Sequence, residues 1–144
     1  MLNSWFWLVH GKIMLMTPRF ALIAGTVSGM VAVLLGAFGA HGLQNRLIDE
    51  GRFETYNLAV EYQFYHAMAL LITGILMKQN ASSMLQYASI SFSGGTILFS
   101  GSLYLLTVLN LGAFGAITPL GGILFLSGWL FLLMGVIQKE RPHS

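Results

Sequence analysis

Apolar residues fall in long blocks along this chain, separated by short polar links. From Phe20 to Gly39 there are 20 residues without a charge, bounded by Arg19 before and by His41, Gln44, Asn45 and Arg46 after. Between Lys78 and Lys139 a further 60 residues contain no Asp, Glu, Lys or Arg. A hydrocarbon core of about 30 Å takes about 20 helical residues to cross, so the first block predicts one spanning helix and the second a helix that folds back and crosses again. The fold-back falls near Asn110 to Thr118, where Asn110, Gly112 and Gly115 cluster. Thr118-Pro119 then reads as an N-cap followed by proline in the first helical position, where its missing N–H costs nothing. These blocks set spans over residues 20–40, 84–109 and 118–138.

A fourth span is predicted between the two blocks. The purely apolar run from Phe64 to Met77 has 14 residues, and as helix it covers about 21 Å, short of the core thickness. Extending it back gives a span over 57–77 and brings Glu61 and Gln63 into the membrane, with His66 near mid-depth. A re-entrant segment is the competing reading. Lys78 closing the run, with another span directly after it, favours a crossing.

Composition removes the soluble alternative. Hydrophobic residues make up 56% and charged residues 8% of the 144 residues, against roughly 25% charged in an average soluble domain. A single transmembrane domain over 16–144 follows, with the lipid bilayer as its first partner. The net charge of +2 comes from scattered residues, so a nucleic-acid surface has no footing and no nucleic-acid partner is expected. Cysteine is absent, which removes disulfides, thiolate metal sites and cysteine nucleophiles. Basic residues set the orientation instead. Lys12, Arg19, Lys78, Lys139 and Arg141 fall on one side of four antiparallel spans, and Arg46 and Arg52 on the other, which places both termini in the cytoplasm.

Residues 1–15 stand apart as an N-terminal extension. Ser4-Trp5-Phe6-Trp7-Leu8 suits an interfacial anchor. Met16-Thr17-Pro18-Arg19 reads like a natural start, which would make the extension a start-site error. A cleaved signal peptide fits less well, because its apolar region is normally about 7 to 15 residues and no A-x-A site follows.

Glu61 is the first candidate for function, since a charge at the centre of a span costs about 2.5 to 3.5 kcal/mol on insertion scales and calls for a partner. On a helix, Asn57, Glu61 and Tyr65 share one face and Tyr62, His66 and Thr73 another about 140° away, so Glu61 and His66 are poor direct partners. His41 at the end of the first span, or Arg46 and Arg52 in the charged loop that also holds Glu54, are better placed. Two readings stay open. His41, Glu61, Gln63 and His66 form a polar site just below the outer surface, open to a ligand or a proton, or they tie two helices together. A metal site from His41, Glu61 and His66 has acceptable ligand types but no diagnostic spacing, so neither metal nor cofactor is expected. No nucleophile and base pair, phosphate loop or dinucleotide fingerprint occurs in a usable context, and no catalytic residue is assigned.

Small residues mark contact faces. Ser28, Ala32, Gly36 and Ala40 make one ridge in the first span, Ala21, Gly25 and Gly29 make another, and Gly121, Gly128 and Gly135 repeat at seven residues in the last span. Such ridges let helix backbones approach, either within the bundle or across a homo-oligomer or membrane-protein interface. Arg46 and Glu50, at i and i+4, predict a short surface helix in the first loop and contribute only about 0.3 to 0.5 kcal/mol. Leu35-Gly36-Ala37-Phe38-Gly39-Ala40 recurs as Leu111-Gly112-Ala113-Phe114-Gly115-Ala116. A duplicated helix pair would produce that, as would chance reuse of residues common in membranes.

The string Leu35-Gly36-Ala37-Phe38-Gly39-Ala40-His41-Gly42-Leu43 is followed by Phe53-Glu54-Thr55, Tyr62-Gln63-Phe64-Tyr65-His66-Ala67, Gly101-Ser102-Leu103-Tyr104 and Ile117-Thr118-Pro119-Leu120-Gly121-Gly122. In that order these resemble the YgdD/YwdK family of small bacterial membrane proteins, a domain-of-unknown-function family with a eukaryotic transmembrane relative. The resemblance covers residues 17–138 and implies a four-helix integral protein of the bacterial inner membrane. It implies no activity.

The expected fold is all-α, an integral membrane four-helix transmembrane bundle with both termini cytoplasmic. The expected role is a non-enzymatic accessory subunit or small oligomeric scaffold, because solute passage and chemistry need more convergent donors and acceptors than these spans offer. The alternatives are a proton-coupled transporter centred on Glu61 and His66, and a lipid-modifying enzyme with His41 or Glu61 as general base.

Overall fold

The computed structural model describes residues 16–80 and 82–137. The N-terminal extension and the Lys139-Glu140-Arg141 end lie outside the described residues. Among the described residues all regular structure is helical.

Helix α1 (Pro18–His41) starts at Thr17, whose hydroxyl accepts the Phe20 N–H at 3.1 Å, with Pro18 filling the first turn where no donor is needed. Gly42 closes it by donating its N–H to the Phe38 carbonyl at 2.7 Å. A short α2 (Gln44–Asp49) follows and is pinned by the buried Leu47. Gly51 then turns the chain at φ 65°, a left-handed conformation that strains a side chain. Helix α3 (Phe53–Gln79) starts earlier than the apolar pattern shows and carries its polar residues within regular helix. Helix α4 (Ser83–Val108) begins at Ser82, whose hydroxyl accepts the Met84 N–H at 3.2 Å. A loop and a 3-10 helix (Gly112–Ala116) lead to α5 (Thr118–Ile137). Thr118 is the first helical residue, and its hydroxyl pairs with that of Ser102 on α4 at 2.8 Å.

The long helices pack on their sequence neighbours, α1 on α3, α3 on α4 and α4 on α5. Small residues set how closely they come. Gly121, Gly128 and Gly135 of α5 face Phe99, Phe92 and Leu85 of α4, equal seven-residue steps running in opposite chain directions. A Cβ at Gly128 would lie 2.6 Å from the Phe92 ring and one at Gly135 2.6 Å from Leu85, while at Gly121 it would strike the Phe99 backbone. Gly95 of α4 answers by admitting the Phe125 ring of α5, which would meet a Cβ there at 2.5 Å. Between α1 and α3, Gly25 backs onto the Ala67 carbonyl, Gly74 admits Leu22 and Gly39 admits the Tyr56 ring. A Cβ at Gly36 would stand 3.2 Å from Val60 and one at Gly29 3.7 Å from Ala67. Ala40, near the end of α1, is exposed. The first Leu-Gly-Ala-Phe-Gly-Ala string is α-helical within α1, whereas the second lies in the loop and 3-10 helix, so the two copies share no conformation.

Three segments, Pro18–His41, Ser83–Val108 and Gly112–Ile137, are long and apolar enough to cross a membrane. Helix α3 has 27 residues but holds Glu54, Asn57, Glu61, Gln63 and His66 in its first half, and it is not among them. The outer surface is apolar. Ile23, Val27, Met30 and Val33 of α1 and Ile123, Leu126, Leu130 and Leu133 of α5 are all exposed, a surface far larger in apolar extent than water-facing proteins carry.

Candidate functional site

The buried stripe of α3 runs through Tyr56, Ala59, Gln63, His66, Leu70, Thr73 and Met77, the three- and four-residue spacing of one helix face. Two of the polar residues marked by the sequence therefore point inward. Gln63 is held at both ends of its amide: Nε2 donates to the Ser28 carbonyl of α1 at 3.0 Å, and Oε1 accepts the Tyr104 hydroxyl of α4 at 2.9 Å. One side chain thus links three helices. Beside it, Tyr56 donates its hydroxyl to the Leu35 carbonyl at 2.8 Å and sets its ring edge-on to Tyr104 at 5.4 Å.

His66 is held just as fully. The Trp129 indole N–H can only donate, and it reaches Nε2 at 3.3 Å, so Nε2 is an acceptor and the ring proton sits on Nδ1. Nδ1 then donates to the Tyr62 carbonyl at 2.7 Å. The imidazole lies flat on Phe125, centroids 3.4 Å apart and planes within 8°, with the Trp129 ring edge-on at 6.1 Å. Neither nitrogen of this neutral ring is left for a substrate or a proton relay.

Glu61 faces the other way. It is exposed on the outward side of α3, and among the described residues its carboxylate has no hydrogen-bond or ion-pair partner. His41 is exposed at the last turn of α1. The four polar residues are thus split, with Gln63 and His66 inside and Glu61 and His41 outside. Among the described residues no three His, Asp or Glu side chains come together in a way that could hold a metal ion.

Sequence similarity places the chain in a family. The model of a family described as "Protein of unknown function (DUF423)" matches residues 35–122. The chain is 40% identical over 128 residues to the UPF0382 inner membrane protein YgdD of Escherichia coli strain K12, covering 88% of this chain and 95% of that one. It is also 40% identical over 120 residues to the UPF0382 membrane protein SAB0533 of Staphylococcus aureus, covering 83% and 97%, and 39% identical to the corresponding protein of Staphylococcus haemolyticus. No solved structure matches. The chain belongs to the DUF423 family. It is a membrane protein of the bacterial inner membrane.

In this DUF423 chain the matched stretch takes in Tyr56, Glu61, Gln63, His66 and Tyr104, and Trp129 and Phe125 fall beyond it. It also takes in a charged cluster, of which the sequence disclosed only the Arg46–Glu50 pair. Arg46 donates through Nη2 to the Val108 carbonyl at 3.0 Å, and Arg52 through Nη1 to the Leu106 carbonyl at 3.1 Å and through Nη2 to Asn110 Oδ1. Glu50 bridges the two guanidinium groups, 2.9 Å from Arg46 and 3.6 Å from Arg52. Helix C-termini expose carbonyls without intrahelical partners and carry partial negative charge, so both arginines sit where the α4 end needs donors. They are engaged there and not with Glu61. Three buried hydroxyls, Ser28, Ser89 and Ser100, have no partner among the described residues.

Proposed function

We propose that this DUF423 protein crosses the inner membrane four times, through α1, α3, α4 and α5, with both termini cytoplasmic, and that it serves as a non-enzymatic accessory subunit or scaffold. Helix α3 counts as the fourth crossing because it lies antiparallel between α1 and α4 and turns Gln63 and His66 onto its neighbours. One observation carries the non-enzymatic reading: both ends of Gln63 and Nε2 of His66 are used up in joining helices, and His66 Nδ1 in a bond to the Tyr62 carbonyl of its own helix, while Glu61 and His41 point elsewhere. A site for chemistry or passage needs polar groups that converge on an open space.

The test is reconstitution into proteoliposomes together with lipid profiling of overproducing cells. The expected result is no pH-dependent flux above empty vesicles, an unchanged lipid profile, and co-purifying membrane proteins lost in Gly36→Leu but kept in Glu61→Gln. A flux abolished by Glu61→Gln in folded protein would overturn the reading in favour of a transporter, and a lipid change removed by His41→Ala would favour an enzyme. For topology, a fluorescent-protein fusion at the C-terminus should light up in cells, whereas an active periplasmic phosphatase fusion there would reverse the orientation.

A further inference from the structure

The outward face of α3 presents Leu58, Glu61, Tyr65, Met68, Ile72 and Ile75, all exposed. Glu61 is the only charge on α3 between Glu54 and Lys78. Neither its carboxylate nor the Tyr65 hydroxyl makes a hydrogen bond among the described residues. An unsatisfied donor and acceptor at membrane depth are each costly.

Their depth follows from helix length. The 27 residues of α3 span about 40 Å, roughly 10 Å more than a hydrocarbon core. Lys78 marks the boundary at one end, its stem reaching out to the interface. Counting back about 20 residues puts the other boundary near Leu58, so Glu61 lies about one turn inside it. Helical side chains lean toward the N-terminus, which on α3 is the direction out of the hydrocarbon. The Glu61 carboxylate is thereby carried to headgroup level. Tyr65 lies one turn deeper on the same face, about 6 Å along the axis, with its ring 6.3 Å from that of Tyr62.

A negative acceptor with a neutral donor one turn below it on the same exposed face, above an apolar track of Met68, Ile72 and Ile75, complements a zwitterionic phospholipid. The ammonium meets Glu61, a phosphate oxygen accepts from Tyr65, and an acyl chain follows the track. The arginines at this end of the bundle are already engaged by Glu50 and the α4 carbonyls, leaving the carboxylate for an outside cation. A second copy docked on this face would set Glu61 against the partner's Glu61, like charge to like. We infer that the outward face of α3 binds an ethanolamine phospholipid through Glu61 and Tyr65. A primary ammonium is specified over a choline because only the former donates a charge-assisted hydrogen bond to the carboxylate. This inference rests on the crossing by α3 proposed above.

The experiment is native mass spectrometry of the full chain in detergent, titrated with ethanolamine, choline and glycerol phospholipids of the same acyl chains. The ethanolamine lipid should bind about tenfold more tightly than the glycerol lipid, the ratio one charge-assisted hydrogen bond supplies. Glu61→Gln should erase that preference, Tyr65→Phe should weaken it, and Glu54→Gln should leave it intact. Equal binding of all three lipids, or a preference that survives Glu61→Gln, overturns the inference while the membrane reading stands. A dimer that Ile72→Trp dissociates, with no lipid preference, overturns it in favour of a second copy. Recovery of folded protein from cell extract without detergent would sink the membrane reading itself.

Discussion

Trp129 and His66 meet through an indole N–H donated to Nε2 at 3.3 Å, which joins α5 to α3. Trp129→Phe keeps an aromatic ring and deletes the donor, leaving Nε2 a buried acceptor without a partner. That costs about 1 to 3 kcal/mol. The thermal midpoint of the detergent-purified protein should fall by several degrees, and adding His66→Phe should recover part of the loss, because the orphaned acceptor goes with it. A double variant no more stable than Trp129→Phe alone would show that the hydrogen bond is not what holds the two rings.

The glycines of the α4–α5 seam are not equivalent to glycines elsewhere. A Cβ at Gly128 meets the Phe92 ring, whereas a Cβ at Gly101, also within a helix, meets nothing within 4 Å. Gly128→Ala should therefore destabilise by roughly 1 to 3 kcal/mol through overpacking. Gly101→Ala should stabilise by about 0.5 to 1 kcal/mol, since it removes only the backbone freedom of the unfolded chain. Detergent or denaturant unfolding of both variants checks the pair, and equal effects would mean the seam is loose enough to part.

At the loop end, Arg52 and Glu50 predict unequal sensitivities. Arg52 is a donor to the Leu106 carbonyl and the Asn110 side chain, whereas Glu50 only bridges partly exposed arginines. Arg52→Leu should cost about 1 to 2 kcal/mol by leaving the α4 carbonyl without a donor. Glu50→Gln should cost less than about 0.5 kcal/mol, as exposed ion pairs generally do. Hydrogen exchange at the last turn of α4 would register the first change and not the second.

How much of this was legible in the sequence depends on whether the signal was local. The uncharged blocks gave the membrane character and the helical class, because lipid leaves a spanning backbone little choice. The seven-residue spacing of Gly121, Gly128 and Gly135 marked a contact line, but the facing Phe99, Phe92 and Leu85 belong to another helix and no local pattern names them. The polar residues show the same limit. Spacing on α3 separated Glu61 from His66, yet Trp129 lies 63 residues from His66, and one indole among three in the chain carries no mark of its partner. The arginines illustrate it from the other side. Charge attraction points to Arg46 and Arg52 as partners for Glu61, whereas the structure sets them on carbonyls at a helix end, which every helix has and no sequence displays. The Leu-Gly-Ala-Phe-Gly-Ala repeat took α-helix in one place and 3-10 helix in another because its neighbours, not its six residues, decide.

The Gln63–Tyr104 bond gives the sharpest test of whether the polar interior joins helices. Tyr104→Phe deletes the donor to Oε1 and keeps the ring that packs against Tyr56, and Gln63→Leu removes the amide that also reaches the Ser28 carbonyl. Each single change carries its own packing and desolvation effects, so neither alone measures the bond. The double variant cancels those effects, and what remains is the coupling. Interhelical hydrogen bonds in membranes give couplings averaging about 0.6 and reaching about 1.7 kcal/mol, because the unfolded helices also find partners. A coupling in that range is expected for Gln63 with Tyr104, measured by unfolding in mixed detergent. A value near zero would mean that α3 and α4 are held by their apolar contacts alone, and the inward polar residues would then need a purpose other than joining helices.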